Sequence, residues 1–144
     1  MAIKKILHKA GINEVLGTDR TVQAKIPEIL SDRRRVDSRG ILIADVVLVP
    51  LEDGDRTQAL VKMDKKVIAV DLNPLSRTAQ QASITIVDNI IRVMPILISQ
   101  IRILKNRKKF YLQKVIQNYN NKFILNEAVS LINKRLVRLV AQTK

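Results

Sequence analysis

The chain has 144 residues, 47% of them hydrophobic, which suits one compact domain burying roughly two thirds of its unfolded surface. It has no cysteine, which excludes a disulfide framework, a thiolate metal site and a cysteine nucleophile; the single histidine, His8, cannot build a metal cluster alone. The formal charge of +13 is unevenly placed: residues 1–100 carry 15 Lys and Arg against 12 Asp and Glu, whereas residues 101–144 carry 11 against Glu127 alone.

In chain order, Ile3–Lys9 has helical spacing and Gly11 stands where a glycine would end the helix. The apolar positions of this basic N-terminus are too interrupted for a signal peptide, and the most apolar stretch, Ile90–Leu104, is broken by Arg92, Gln100 and Arg102. A cytoplasmic protein with no membrane partner is therefore expected. Asn13–Leu16 is a short strand candidate, stopped by Gly17. Residues Thr18–Gly40 lack a clean period and include the charged run Ser31-Asp32-Arg33-Arg34-Arg35, which predicts a loop with at most one short helix.

Ala44–Val49 (ADVVLV) is a continuous β-branched run that predicts a strand buried on both faces. Lys66–Val70 and Ile84–Val87 predict two more strands, with Thr57–Met63 as a helical crossover between the first pair. Asn89–Leu104 carries one apolar stripe at helical period, and Pro95 inside it should kink the helix. Phe110–Tyr119 and Lys122–Ala141 are further helix candidates; Leu125, Val129, Ile132, Leu136 and Leu139 or Val140 form the apolar face of the last. The expected architecture is α/β, an incomplete Rossmann-like open parallel sheet over residues 1–104 followed by a basic helical segment over 105–144.

Ligands of open parallel sheets bind outside the carboxyl ends of the strands, and each of the three strands ends in a polar cluster. Asp71 and Asn73 can hydrogen-bond a ribose or base edge, and Ser76, Arg77 and Thr78 supply a cation and two hydroxyls for phosphate oxygens. Thr78 also falls near the start of a short helix, where free N–H groups favour an anion. Asp53 and Asp55 are hard oxygen ligands suited to Mg²⁺ carried by a nucleotide. The same residue types serve commonly as caps and turns. With only four glycines there is no P-loop and no G-x-G-x-x-G, so the residues alone point to an anion or nucleotide site and no further.

Three blocks in fixed order, Ala44–Met63 (ADVVLVPLEDGDRTQALVKM), Val67–Thr78 (VIAVDLNPLSRT) and Ile84–Ile90 (ITIVDNI), resemble archaeal phosphopantothenate synthetase, the 4-phosphopantoate--beta-alanine ligase of coenzyme A synthesis. With Lys9–Gly17 (KAGINEVLG), the resemblance covers roughly residues 3–105, the remainder matching in helical character only. It implies a homodimeric enzyme using ATP and Mg²⁺, with 4-phosphopantoate and β-alanine as substrates. It also implies nucleotide contacts at Asp71, Leu72, Asn73, Arg77, Thr78, Asn89 and Ile90, while Asp53, Asp55 and Arg56 are weaker candidates for metal or substrate phosphate. No catalytic residue follows from it.

Two departures stand out. Members of that family have a substantial region before the stretch that Ile3 begins to match, so the chain is expected to be a truncated product, one half of a split gene with a separately encoded N-terminal portion as partner, or a decayed copy, which puts independent ligase activity in doubt. The second is the tail, which has almost no acids, and Gln80 and Gln81 also carry amides where family members often place a basic residue. Two competing readings are an interaction fragment and a nucleic-acid-binding module using residues 102–144, with Lys105, Arg107, Lys108 and Lys109 on phosphates; the scarcity of aromatic residues argues against single-strand stacking.

Overall fold

The computed structural model describes residues 2–18, 23–29 and 31–142, so that residues 19–22 and 30 of the expected loop and residues 143–144 of the basic segment lie outside it. The chain divides into two compact units, Met1–Val47 and Leu48–Lys144.

In the first unit, α1 (Ala2–Lys9) ends as the sequence predicts: Gly11 takes a φ of +86°, and the Ile12 N–H closes back on the Leu7 carbonyl at 3.0 Å. Asn13–Leu16 is not a strand, because its backbone finds no ladder partner; it runs as an irregular segment to Gly17, which has a φ of +77°. The expected loop instead contains a short antiparallel ladder, β1 (Gln23–Lys25) on β2 (Arg35–Asp37), with a 3-10 turn at Asp32–Arg34. These strands escape the sequence reading because each is three residues long with a single apolar one, Ala24 and Val36, too short for an alternation to show. Among the described residues of this unit, the buried apolar ones are Ile26 and Ile29.

A three-stranded sheet has the order β3-β4-β5: β3 (Val46–Val49), whose residues fall on both sides of the division, β4 (Lys66–Val70) and β5 (Ile84–Ile86), both in the second unit. β4 and β5 run parallel, with Ile68 opposite Ile84 and Val70 opposite Ile86. The crossover helix α2 (Gly54–Lys62) starts three residues earlier than the apolar pattern suggests, because the Asp53 carboxylate caps it by accepting the Arg56 N–H. The five-residue α3 (Arg77–Gln81) joins β4 to β5. Val67, Ala69 and Val70 of β4, Ala59 and Leu60 of α2 and Ala79 of α3 form the core. β3 departs from expectation: it is a sheet edge, with Val46 55% and Leu48 44% exposed, so it is not buried on both faces.

Three helices follow: α4 (Ile90–Leu104), α5 (Lys109–Gln117) and α6 (Asn121–Gln142). α4 continues through Pro95. On the expected apolar face of α6 only Leu125 is buried and Val129 half-buried, while Ile132, Leu136, Leu139 and Val140 are exposed. α6 touches α3 and β5 near its start, which places Leu125 under cover and leaves the later turns uncovered among the described residues. No helix among the described residues is long and apolar enough to cross a membrane.

Candidate functional site

The polar clusters at the three strand ends fold into one connected arrangement. At the end of β4, Asp71 is buried and stays in the sheet through its N–H, which donates to the Ile86 carbonyl at 3.1 Å. Its carboxylate then turns the chain, accepting the Asn73 N–H at 2.9 Å and a short hydrogen bond from the Ser76 hydroxyl. Asn73 repeats the device by accepting the Leu75 N–H at 2.9 Å. Ser76 in turn caps α3, its Oγ accepting the Ala79 N–H at 3.0 Å. This turn leaves Leu72 facing outward, 66% exposed.

The loop after β3 is fastened to α3. The Thr78 hydroxyl accepts the Asp53 N–H at 3.0 Å and donates to Glu52 Oε1 at 3.1 Å, and the same Glu52 oxygen accepts the Gly54 N–H. Arg77 pairs with Asp55 at 2.5 Å and lies flat against Gly54, where an added Cβ would meet its Nε at 2.6 Å. Glycine at position 54 is therefore a matter of close approach. After β5, Asn89 caps α4 by accepting the Ile91 N–H, and Asp88 accepts the Asn89 N–H and pairs with Arg92. The Arg92 guanidinium and the Asn89 amide hold the Asp88 carboxyl below the usual carboxylate range.

These turns surround a cleft of about 270 Å³ outside the carboxyl ends of the sheet, lined by Pro50, Leu51 and Glu52 from β3, Val70–Asn73 from β4, and Asp88–Ile90 from β5. Five of the seven expected nucleotide contacts, Asp71, Leu72, Asn73, Asn89 and Ile90, line it together. Arg77 and Thr78 are not among its lining residues: Thr78 is fully buried and Arg77 is turned to Asp55. The expected anion site at the start of α3 is weakened as well. Ser76 already occupies the Ala79 N–H, and one and a half turns carry little dipole.

The walls decide what the cleft suits. Its volume lies near the lower end of the roughly 300–1,000 Å³ of small-molecule pockets, room for a nucleoside rather than a whole triphosphate. The lining contains Glu52, Asp71 and Asp88 and no Lys or Arg, a set that accepts hydrogen bonds from ribose hydroxyls or base amines and repels phosphate. Leu51, Leu72 and Ile90 supply apolar surface for a base. Arg77, the cation of the strand-end blocks, lies outside this lining and is paired with Asp55. Asp53 and Asp55 do not join in a metal cage: Asp53 caps α2, Asp55 is paired, and no group of three His, Cys, Asp or Glu among the described residues is placed to hold an ion. Carboxylates so engaged fit Mg²⁺ only as an ion brought by the phosphates. Arg56 is half-buried beside Asp53, its Nη1 3.9 Å from the carboxylate.

Sequence reasoning did not single out two groups. Glu52 ties three loop groups together, yet an acid beside Asp53 looks like another turn residue. In the first unit, Asp37 is buried and accepts hydrogen bonds from the Arg39 guanidinium and N–H and from the Gly17 N–H, which hold its carboxyl far below the usual range; the two-residue spacing Asp37-Ser38-Arg39 was the only signal. His8 is exposed, its Nδ1 donating to the Ile12 carbonyl at 2.7 Å at the end of α1.

A family model described as phosphopantothenate/pantothenate synthetase matches residues 1–135 of this sequence. The chain belongs to that family. It is 48% identical over 129 residues to the 4-phosphopantoate--beta-alanine ligase of Thermococcus kodakarensis, covering 90% of this chain and 49% of that protein. It is 47% identical over 137 residues to the enzyme of the same name from Methanosarcina mazei, covering 95% of this chain and 53% of that one. A third such ligase, from Methanospirillum hungatei, is 50% identical over 93 residues, 65% of this chain and 37% of its own. The chain thus spans about half the length of the curated relatives it matches most fully. The family match also runs 30 residues beyond position 105, taking in α5 and most of α6 rather than stopping at the strand-end blocks.

Proposed function

We propose that this chain provides the nucleotide-binding portion of an ATP-dependent ligase joining 4-phosphopantoate to β-alanine. The reading rests on one observation: turns from three strands, far apart in sequence, bring Asp71, Leu72, Asn73, Asn89 and Ile90 to one cleft at the carboxyl end of the sheet. In this reading Asn73 and Asn89 hydrogen-bond the nucleoside, Leu72 and Ile90 cover the base, and Arg77 leaves Asp55 for the phosphates, which carry Mg²⁺. The substrate carboxylate attacks the α-phosphorus of ATP with departure of pyrophosphate, and the amine of β-alanine then displaces AMP from the acyl carbon. The chain's own contribution is position and charge: it holds the nucleotide so that both displacements are effectively unimolecular.

The reading extends to a cytoplasmic homodimer, with residues 1–104 carrying the nucleotide site, residues 105–144 forming a helical segment, and the half of the family length outside this sequence, which the test supplies as a second polypeptide, completing the enzyme. The test is calorimetric titration with Mg-ATP of the full chain and of Arg77→Ala and Asn73→Ala, alone and with that second polypeptide. Loss of at least tenfold in affinity in both variants is expected, as for removal of a charged or buried hydrogen-bond partner; unchanged affinity in both would discard the site. Release of AMP only when 4-phosphopantoate and β-alanine are both present is the matching expectation for the reaction.

A further inference from the structure

β5 is the last strand of the sheet among the described residues, and in its parallel register the N–H and C=O of Thr85 point away from β4. Both face one side chain. The Thr85 N–H donates to the Tyr119 hydroxyl at 3.0 Å, and the Thr85 carbonyl lies 3.3 Å from that hydroxyl. A phenol has one hydrogen, and the shorter contact, 2.8 Å to Asn121 Oδ1, takes it. The amide of Asn121 is thereby oriented, and its Nδ2 donates to the Ala79 carbonyl at 3.0 Å. The Thr85 hydroxyl donates to that same carbonyl at 2.7 Å.

Ala79 is the middle residue of α3, the helix that carries Arg77 and Thr78. A five-residue helix has almost no stability of its own, because nucleation costs more than one turn returns, so tertiary contacts set where it sits. At its start Ser76 holds it to Asp71; at its carbonyl end, where helix acceptors lack internal partners, Thr85 and Asn121 hold it. From α3 the links run on through Thr78 to Glu52 and Asp53, and through Arg77 to Asp55.

We propose that Tyr119 and Asn121 are positioning residues for the nucleotide site, acting through α3 on Arg77. The segment after residue 104, set apart by its charge, is in this way a working part of the site rather than an appendage to it. The proposal rests on the nucleotide reading above only for the ligand; the placement of α3 can be read without it.

The test compares the full chain with Asn121→Asp and Tyr119→Phe, each also in an Arg77→Ala background, by amide hydrogen exchange and by Mg-ATP titration. Aspartate at 121 keeps the acceptor for Tyr119 and favours the start of α6, where Asn120 supplies a capping contact to the Phe123 N–H, but it removes the donor to Ala79. Exchange at the amides of α3 about tenfold faster than in the parent is expected, with about tenfold weaker binding, the order of one buried hydrogen bond. In the Arg77→Ala background neither variant should weaken binding further, whereas a merely structural role predicts losses that multiply. Unchanged exchange in α3, or multiplying losses, overturns the proposal. If the parent chain binds no Mg-ATP even with the second polypeptide, the nucleotide reading fails, and the exchange result still decides whether Asn121 holds α3.

Discussion

In α2 the apolar positions Ala59 and Leu60 are enclosed, and that helix packs on β4 and α3; in α6 the positions Ile132, Leu136 and Leu139 recur just as regularly and lie on the surface. Periodicity thus marks which face of a helix is apolar but says nothing of what covers it. The difference lies in the neighbours: α2 is the crossover between two adjacent strands and is forced onto the sheet, whereas only the first turns of α6 reach α3 and β5.

Substitutions can break this contrast or sharpen it. The largest effect is expected for Leu60→Ala, which opens a cavity in the core and should cost about 2–5 kcal/mol, read as a lower melting temperature and denaturant midpoint. Next is Gly54→Ala, whose methyl group would meet Arg77 Nε at 2.6 Å; the displaced arginine loses Asp55, and the overpacking should cost about 1–3 kcal/mol. Little loss there would mean that the strand-end turns are as loosely held as the outer helices.

A smaller effect should come from Asp88→Asn at the joint between β5 and α4. The Asp88 carboxyl is lowered by Arg92, so its contribution is fully present above the ordinary aspartate value near pH 4 and disappears as pH falls through the lowered one. The variant should be less stable at neutral pH and show a flatter acid limb in unfolding curves. Both side chains are substantially exposed, which keeps the effect small and salt-sensitive. Smallest of all is Leu136→Ala in α6, expected within about 0.5 kcal/mol of the parent when the chain is measured alone; a loss comparable to that of Leu60→Ala would show that the stripe is covered in solution.

What the sequence made legible follows from the same contrast. β4 appears within the residues expected of it because KVIAV is apolar, β-branched and ends at Asp71, a residue that stops the strand by turning the chain with its own carboxylate. The strand-end cluster was legible as residues that belong together, since Asp71, Asn73 and Asn89 occupy the positions where such sheets place ligands. The division of labour inside it was not. Thr78 looks like a phosphate hydroxyl in a list of residues, but its hydroxyl binds Glu52 and Asp53, 26 and 25 positions away, and no local pattern announces a contact of that range. The β1–β2 ladder was missed for a related reason: Gln23 and Asp37 pair across a loop, and their polar side chains give no period.

The hydroxyl of Tyr119 has one further effect. A short strand at the margin of a sheet is ordinarily a place where another strand can join, from the same chain or a different one. With the outward N–H of Thr85 already donated to Tyr119, a strand joining beside β5 would first have to displace that phenol. Among the described residues β3 forms the opposite edge of the sheet, so the two edges differ: one is held by a phenol 34 residues away in sequence.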